Sequence, residues 1–299
     1  MTQNTSWIAV DWGNTNLRVW ALGEAGVIGH DSAPLGVSRV GTLGFEAALM
    51  SLIEPYLSDE TETPVVCAGA IGSREGWAQT PYVSTPCTPP GGARAVSVPC
   101  HDDRIKVSIL PGVSQASPPD VMRGEETQVA GVLALFKDFD GVICLPGTQT
   151  KWVHVSAGEI VSFQSFMTGD LFRALSEHSL LRLSVSRNET LDDEVFLSAV
   201  EEAMTRPQAF AAQLVGLSAA DLLQGQSPDI ARARLSGLLI GVELAAARPY
   251  WLGQRIVLVG AEGLAAQYRA ALERQGLDVE TTDVNAVTLA GLVMAKTTL

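Results

Sequence analysis

Short apolar runs alternate with stretches of helical spacing along this chain, and the same sequence of elements occurs twice. Residues 7–10 are apolar and end in Asp11, followed by a Gly13-Asn14-Thr15-Asn16 turn. Residues 17–22 return as a second strand, and 27–34 supply a third. Phe45, Leu49, Leu52, Ile53 and Tyr56 then recur at helical intervals, and 64–69 reads as a buried strand. Residues 79–94, rich in Pro, Gly and Thr, read as loop, while 95–100 and 106–110 are short strand candidates. Residues 111–120 hold three prolines and read as a linker between domains.

Beyond it a helix fits 125–136, its acidic first turn suited to the positive end of the helix dipole. Residues 142–155 then repeat the opening pattern of strand, Gly-Thr turn and strand, with a third strand over 159–166. Residues 170–250 are mostly helical. They are followed by a strand (255–260), a helix (264–275), a short strand (278–282) and a closing helix (285–296). The turn Gly147-Thr148-Gln149-Thr150 thus echoes Gly13-Asn14-Thr15-Asn16 as an architectural repeat. Two such halves facing one another would flank a cleft, where ligands most often bind.

Composition narrows the partners. With 299 residues, 46% hydrophobic and 18% charged, the chain can bury a large core. A formal net charge of −13 argues against a nucleic-acid surface. It does not exclude a nucleotide, whose phosphates one loop of N–H groups and a Mg²⁺ ion can neutralise locally. The cysteines (Cys67, Cys87, Cys100, Cys144) form no C-x-x-C pair and read as reduced thiols, and the histidines (His30, His101, His154, His178) show no metal spacing. The N-terminal residues lack the basic region of a signal peptide. The apolar helical run 235–247 contains Glu243 and is too short to span a bilayer. The expectation is a cytoplasmic protein with no membrane partner, with a homo-oligomer left open.

Several segments could carry chemistry, each beside a plainer reading. The first turn offers N–H groups to a phosphate, and Asp11 could hold a divalent cation through water; taken alone it is equally an ordinary hairpin turn. The second turn strengthens the phosphate reading, with Lys151 either a point charge beside it or an exposed strand lysine. At Gly260-Ala261-Glu262-Gly263-Leu264 a buried strand ends in small residues that would let a flat ring approach, although any βα turn uses glycine. Glu125 and Glu126 could accept a proton from an attacking hydroxyl or orient a water, or simply complement the helix dipole. Asp170 is another carboxylate at a helix start, where capping is favoured. The segment 69–77 has three glycines, and its Ser73 and Arg74 could grip a carboxylate. No Walker, dinucleotide or Gly-x-Ser-x-Gly motif occurs.

The order Asp11-Trp-Gly-Asn-Thr-Asn16, Gly147-Thr-Gln-Thr-Lys151 and Val259-Gly-Ala-Glu262 resembles the two phosphate segments and the adenosine segment of the actin-like ATPase superfamily. More narrowly, Ala68-Gly-Ala-Ile-Gly-Ser-Arg-Glu-Gly-Trp77, Met122-Arg-Gly-Glu-Glu-Thr-Gln128, Leu145-Pro-Gly-Thr-Gln-Thr-Lys-Trp152 and Phe166-Met-Thr-Gly-Asp170 resemble the 2-dehydro-3-deoxygalactonokinases. The resemblance implies an α/β protein of two actin-like (ribonuclease H-like) domains, 1–115 and 116–299, with ATP and Mg²⁺ in the cleft. It implies phosphorylation of the terminal hydroxyl of 2-dehydro-3-deoxy-D-galactonate, in galactonate catabolism. Asp11, Gly13, Asn14, Thr15, Asn16, Gly147, Thr148, Gln149, Thr150 and Lys151 would serve the phosphates and metal. Gly260, Ala261, Glu262 and Leu264 would border the adenosine, and Arg18, Gly72, Ser73, Arg74, Trp77 and Asp170 would lie on the sugar-acid side. Glu125 is the first choice of catalytic base and Glu126 the second. Two positions depart from pattern: Leu145 stands where the superfamily commonly has an acid, and Asp170 where the narrower family would have Glu. An exopolyphosphatase-like hydrolase would need a basic channel, for which 20 Lys plus Arg with no basic run is a poor fit. A non-catalytic nucleotide switch would leave the residues around Arg74 without a purpose.

Overall fold

Two sheets of the molecule share one strand order. The computed structural model describes residues 5–188 and 191–299, so the N-terminal tetrapeptide and residues 189–190 of the expected helical stretch lie outside the described residues. The chain begins with β1 (Trp7–Trp12), β2 (Leu17–Gly23), β3 (Gly26–Ala33), α1 (Phe45–Ile53) and β4 (Thr63–Ala68). Short strands β5 (Tyr82–Ser84), β6 (Val96–Val98), β7 (Ile105–Ile109), β8 (Gly112–Gln115) and β9 (Asp120–Met122) lead into α2 (Glu125–Leu135). Then come β10 (Gly141–Leu145), β11 (Thr150–Ser156), β12 (Glu159–Phe166) and α3 (Thr168–Arg173). The helices α4 (Asp193–Thr205), α5 (Phe210–Gln224), α6 (Pro228–Ala246) and α7 (Arg248–Trp251) precede β13 (Ile256–Gly260), α8 (Glu262–Glu273), β14 (Val279–Asp283) and α9 (Val284–Lys296).

The first sheet runs β3-β2-β1-β4-β7-β6 and the second β12-β11-β10-β13-β14, so the expected repeat is present in the strand order. β1 pairs antiparallel with β2 and parallel with β4, and β4 pairs parallel with β7. In the second sheet β13 lies parallel to both β10 and β14. Parallel neighbours need a crossover, and a glycine or small residue at the strand end lets the chain leave the sheet sharply.

The chain forms two compact units. One comprises the residues to Phe139 together with Val155–Ser162 and Val284–Leu299; the other comprises Asp140–His154 and Phe163–Asp283. In the first, strand alternation sends Ile8, Val10 and Trp12 to the face covered by Leu49 and Ile53 of α1, and Ala9 to the face covered by Leu292 and Ala295 of α9. In the second, Val142, Cys144, Ile256 and Leu258 pack against Phe196 and Val200 of α4, Ile240 and Leu244 of α6, and Tyr268 and Leu272 of α8.

The segment 111–120 is not a linker. It contributes β8 and β9 to a small sheet of order β5-β8-β9, its prolines flanking the strands rather than interrupting them. The compact units accordingly do not divide at 115. Residues 116–139 stay with the first unit because α2 packs closely on α9. A Cβ at Gly131 would lie 1.8 Å from the Val287 carbonyl oxygen, and one at Gly291 would lie 1.8 Å from that of Thr127. Only glycine permits this crossing. Among the described residues no helix is long and apolar enough to cross a membrane.

Candidate active site

In the first unit, three backbone segments meet at the end of β1. A Cβ at Gly69 would lie 2.6 Å from the Trp12 carbonyl oxygen, and one at Gly124 would lie 3.0 Å from the Gly69 Cα. Gly69 and Gly124 also have φ of 101° and 110°, a region that L side chains avoid. These glycines bring the Asp11 turn, the 69–77 segment and the start of α2 together.

The 13–16 turn is braced from behind. The N–H groups of Gly36, Val37 and Ser38 donate to the carbonyl oxygens of Thr15, Gly13 and Asn14 at 3.0, 3.0 and 3.1 Å, and the Ser38 hydroxyl adds a 2.6 Å bond to Asn14. Among the described residues the N–H groups of Asn14, Thr15 and Asn16 make no hydrogen bond. Carbonyls tied back and amides left free make an anion-binding concavity. Asp11 faces Arg18 across the ladder, and Arg18 Nε and Nη2 both donate to Asp11 Oδ2. Arg18 is therefore committed to Asp11 and to Asn285. This differs from a free sugar-acid contact.

At the start of α2 the two acids fold back on preceding amides. Glu125 Oε2 accepts from the Arg123 N–H at 2.9 Å, and both Glu126 oxygens accept from the Gly124 N–H at 2.8 Å. Glu125 is half-buried, but Glu126 is only 1% exposed. Burial, with the neighbouring Glu125 charge, pushes the Glu126 carboxyl up to about 8. In the 69–77 segment Arg74 is exposed and makes no ion pair among the described residues, while Ser73 is half-buried. Trp77 instead belongs to an aromatic cluster, 6.4 Å from Trp12 and 6.3 Å from Phe45 between ring centroids. Arg123, whose role no local pattern signals, is a strut: it donates to the Thr80 carbonyl at 3.0 Å and lies 4.2 Å over the Tyr82 ring.

In the second unit the 147–149 turn is held by α3. The Asp170 N–H donates to the Thr148 carbonyl at 2.9 Å, and a Cβ at Gly169 would lie 2.4 Å from the Gly147 carbonyl oxygen. The Asp170 carboxylate caps no amide of its own helix but pairs with Arg173 at 2.6 Å. Thr148 and Gln149 are exposed, whereas Thr150 is buried and its hydroxyl is shared with Tyr268. Lys151 is not an exposed strand lysine: it is 3% exposed, and its ammonium donates to Ser165 Oγ at 2.6 Å and Gln149 Oε1 at 3.2 Å.

A cavity of about 230 Å³ opens beside this turn, with Gly147, Arg232, Ser236, Leu264, Gln267 and Tyr268 among its walls. Of the residues expected near adenosine, Leu264 lines it; Gly260, Ala261 and Glu262 do not. Arg232 stacks 4.9 Å from Phe172, and its buried Nε has no hydrogen-bond partner. The Ser236 hydroxyl donates to Gln267 Oε1 at 2.8 Å, leaving the amide nitrogen free to donate to a ligand acceptor. The spacing of Arg232 and Ser236 on one helical face was the available signal, hidden in a long apolar helix.

The family profile of the 2-keto-3-deoxy-galactonokinases matches residues 11–295. The chain is 36% identical to DgoK1 of Rhizobium meliloti (strain 1021), described as a probable 2-dehydro-3-deoxygalactonokinase, over 99% of this chain and 98% of that one. It is 34% identical to the 2-dehydro-3-deoxygalactonokinase of Escherichia coli (strain K12), over 96% of each. A crystal structure of a Sinorhizobium meliloti protein named for the same activity superposes with a TM-score of 0.89, at 35% identity and 97% coverage of both chains. The Clostridium difficile activator of 2-hydroxyisocaproyl-CoA dehydratase, solved with bound ADPNP, superposes with a TM-score of 0.50 at 13% identity, covering 98% of this chain and 95% of that one. That likeness is one of fold. The architecture is that of the actin-like ATPases and sugar kinases.

Proposed function

Since the chain belongs to the 2-keto-3-deoxy-galactonokinase family and is a sugar-acid kinase, we propose that its braced turns at Gly13 and Gly147 bind the phosphates of ATP while Glu125 faces the acceptor hydroxyl. The reaction moves the γ-phosphoryl group of ATP to the terminal (6-) hydroxyl of 2-dehydro-3-deoxy-D-galactonate, in galactonate catabolism. The carrying observation is the junction of Trp12, Gly69 and Gly124, which joins in one unit a phosphate-type turn, the segment bearing Arg74, which makes no ion pair among the described residues, and the helix start bearing Glu125.

Phosphoryl transfer needs alignment and charge neutralisation more than covalent help. The free amides of the 13–16 turn would donate to phosphate oxygens, and the braced 147–149 turn would serve phosphate in its own unit. Glu125, the less buried acid of its pair, would accept the proton of the attacking 6-hydroxyl. Glu126 is held on Gly124 and keeps the turn into α2 in shape. Arg74 would pair with the sugar-acid carboxylate, with Ser73 beside it. The cavity walled by Arg232, Ser236, Leu264 and Gln267 would take the adenosine, whose ring nitrogens accept from the donors it presents.

Mg²⁺ fits this donor set: Arg18 occupies only Oδ2 of Asp11, leaving Oδ1 to hold the ion through water. Among the described residues no three metal-binding side chains cluster, in keeping with an ion carried mostly by phosphates and water. When bound, Mg²⁺ screens the charge of the transferring phosphate. A cytoplasmic location, where ATP is supplied, goes with this reading.

ATP consumption should be measured against a panel of 2-keto-3-deoxy sugar acids, with water as sole acceptor in the control. Acceptor-dependent loss of ATP supports the kinase. Robust loss in the water control would indicate a hydrolase, and no loss anywhere a nucleotide switch.

A further inference from the structure

Glu243 sits in the last turn of α6 and is 2% exposed. A buried carboxylate persists only where donors surround it, and here they come from three other elements. Trp152 Nε1 of β11 donates to Oε1 at 2.8 Å, Tyr268 OH of α8 donates to Oε2 at 2.7 Å, and Thr168 Oγ1 at the start of α3 donates to Oε2. The Thr150 hydroxyl stands 2.8 Å from the Tyr268 hydroxyl. Tyr268 spends its one proton on Glu243, so the Thr150 hydroxyl donates to Tyr268. The chain of donors is thereby given one direction.

The anchored residues flank the 147–149 turn on both sides. Thr150 begins the strand that leaves the turn. Thr168 precedes Gly169, whose backbone presses on the Gly147 carbonyl, and Asp170, whose N–H holds the Thr148 carbonyl. Gly147, Thr168, Gly169 and Tyr268 also line the neighbouring cavity. Packing alone does not require an acid at this position. An apolar side chain of similar volume would fill the space but leave the Trp152 and Thr168 donors unpaired and the Tyr268–Thr150 pair unanchored, whereas a shared acceptor fixes their mutual geometry.

We propose that Glu243 is a positioning residue for the nucleotide: through Thr168 on one side and Tyr268–Thr150 on the other, it sets the shape in which the 147–149 turn presents its amides to phosphate. This rests on the reading of that turn as a phosphate site. Glu243 does not itself line the cavity.

The decisive comparison is ADP affinity, by calorimetry, for wild type, Tyr268→Phe, Thr150→Val, their double variant, Glu243→Gln, and Gly147→Val as a direct block of the turn. Tyr268→Phe keeps the ring in the core and removes only the hydroxyl link, so it stays informative where Glu243→Gln fails to fold. It should weaken ADP binding and raise the KM for ATP by about tenfold, with the sugar-acid KM unchanged. Thr150→Val should add little to it, since both cut the same link. A merely structural role would lower the melting temperature and leave ADP affinity within twofold of wild type, and that result overturns the proposal. So does an equal rise in the sugar-acid KM, or strict additivity of the two substitutions. If Gly147→Val weakens ADP binding and Tyr268→Phe does not, only the role of Glu243 falls. If neither weakens it, the phosphate reading of the turn falls as well.

Discussion

Arg18 stands directly across the β1–β2 ladder from Asp11 and fixes one oxygen of its carboxylate, with Nε donating to Oδ2 at 2.9 Å. A third donor, Nη1, reaches Asn285 Oδ1 at 2.6 Å, so the guanidinium is itself anchored. The free oxygen, Oδ1, is thus oriented before any ion arrives. Arg18→Met should leave the carboxylate mobile, raise the KM for MgATP by about tenfold or more, and move the Mg²⁺ dependence to higher concentration. A Mg²⁺ titration at fixed ATP reads this directly; an unchanged midpoint would detach Asp11 from the ion.

Glu125→Gln keeps the shape of the side chain and an acceptor for the Arg123 amide, but cannot take a proton. Turnover should fall by about 10²- to 10⁴-fold while ADP affinity stays within a factor of a few. Steady-state kinetics paired with calorimetry separates the two effects. Near-normal turnover would pass the role to Asp170 or Glu126.

Arg74 is exposed and makes no ion pair among the described residues, so its removal disturbs no internal bond. Arg74→Ala should raise the sugar-acid KM by about tenfold or more, with the KM for ATP and the melting temperature unchanged. Equal KM values for the sugar acid in the two proteins would exclude it from the site.

Glu126 ties stability to pH. Its carboxyl has an ordinary value of 4.5 and is pushed to about 8 in the folded protein by burial. Between these values the folded state binds a proton that the unfolded state lacks, so this residue's contribution to stability is full below about 4.5 and is lost as pH rises through about 8. Glu126→Gln resembles the protonated form, whose carbonyl oxygen still accepts from Gly124. Urea denaturation should show the variant gaining on wild type between pH 5 and pH 9. Parallel pH profiles would place the group's value near that of an ordinary glutamate.

Much of this was legible because strand periodicity and glycine placement obey local rules. The Asp11 and Gly147 turns lie between apolar runs whose length and composition specify strands, and the structure repeats their order in two sheets. The segment 111–120 misled because three prolines suit a linker as well as they suit the ends of β8 and β9. The cavity beside the 147–149 turn was hidden for another reason. Arg232 and Ser236 are spaced as any amphipathic helix would space them, and that they line one cavity with Gln267 depends on how α6 packs on α8, which no local rule encodes. In the sequence Glu243 shows only as a charge that interrupts an apolar run. Its tertiary meaning was a buried carboxylate awaiting donors from β11, α3 and α8.

The glycine crossing of α2 on α9 bears on how the molecule is made. The helix that opens with Glu125 leans on a helix that begins at Val284, after every residue of the second unit has been passed in chain order. On the ribosome, the opening sheet can pair early, but its face over Ala9 and Val66 stays uncovered until residues 284–296 emerge. The helix that bears the acid is seated by a segment made only after the whole second unit, so a nascent chain holds its Asp11 turn well before it can hold its acid in place.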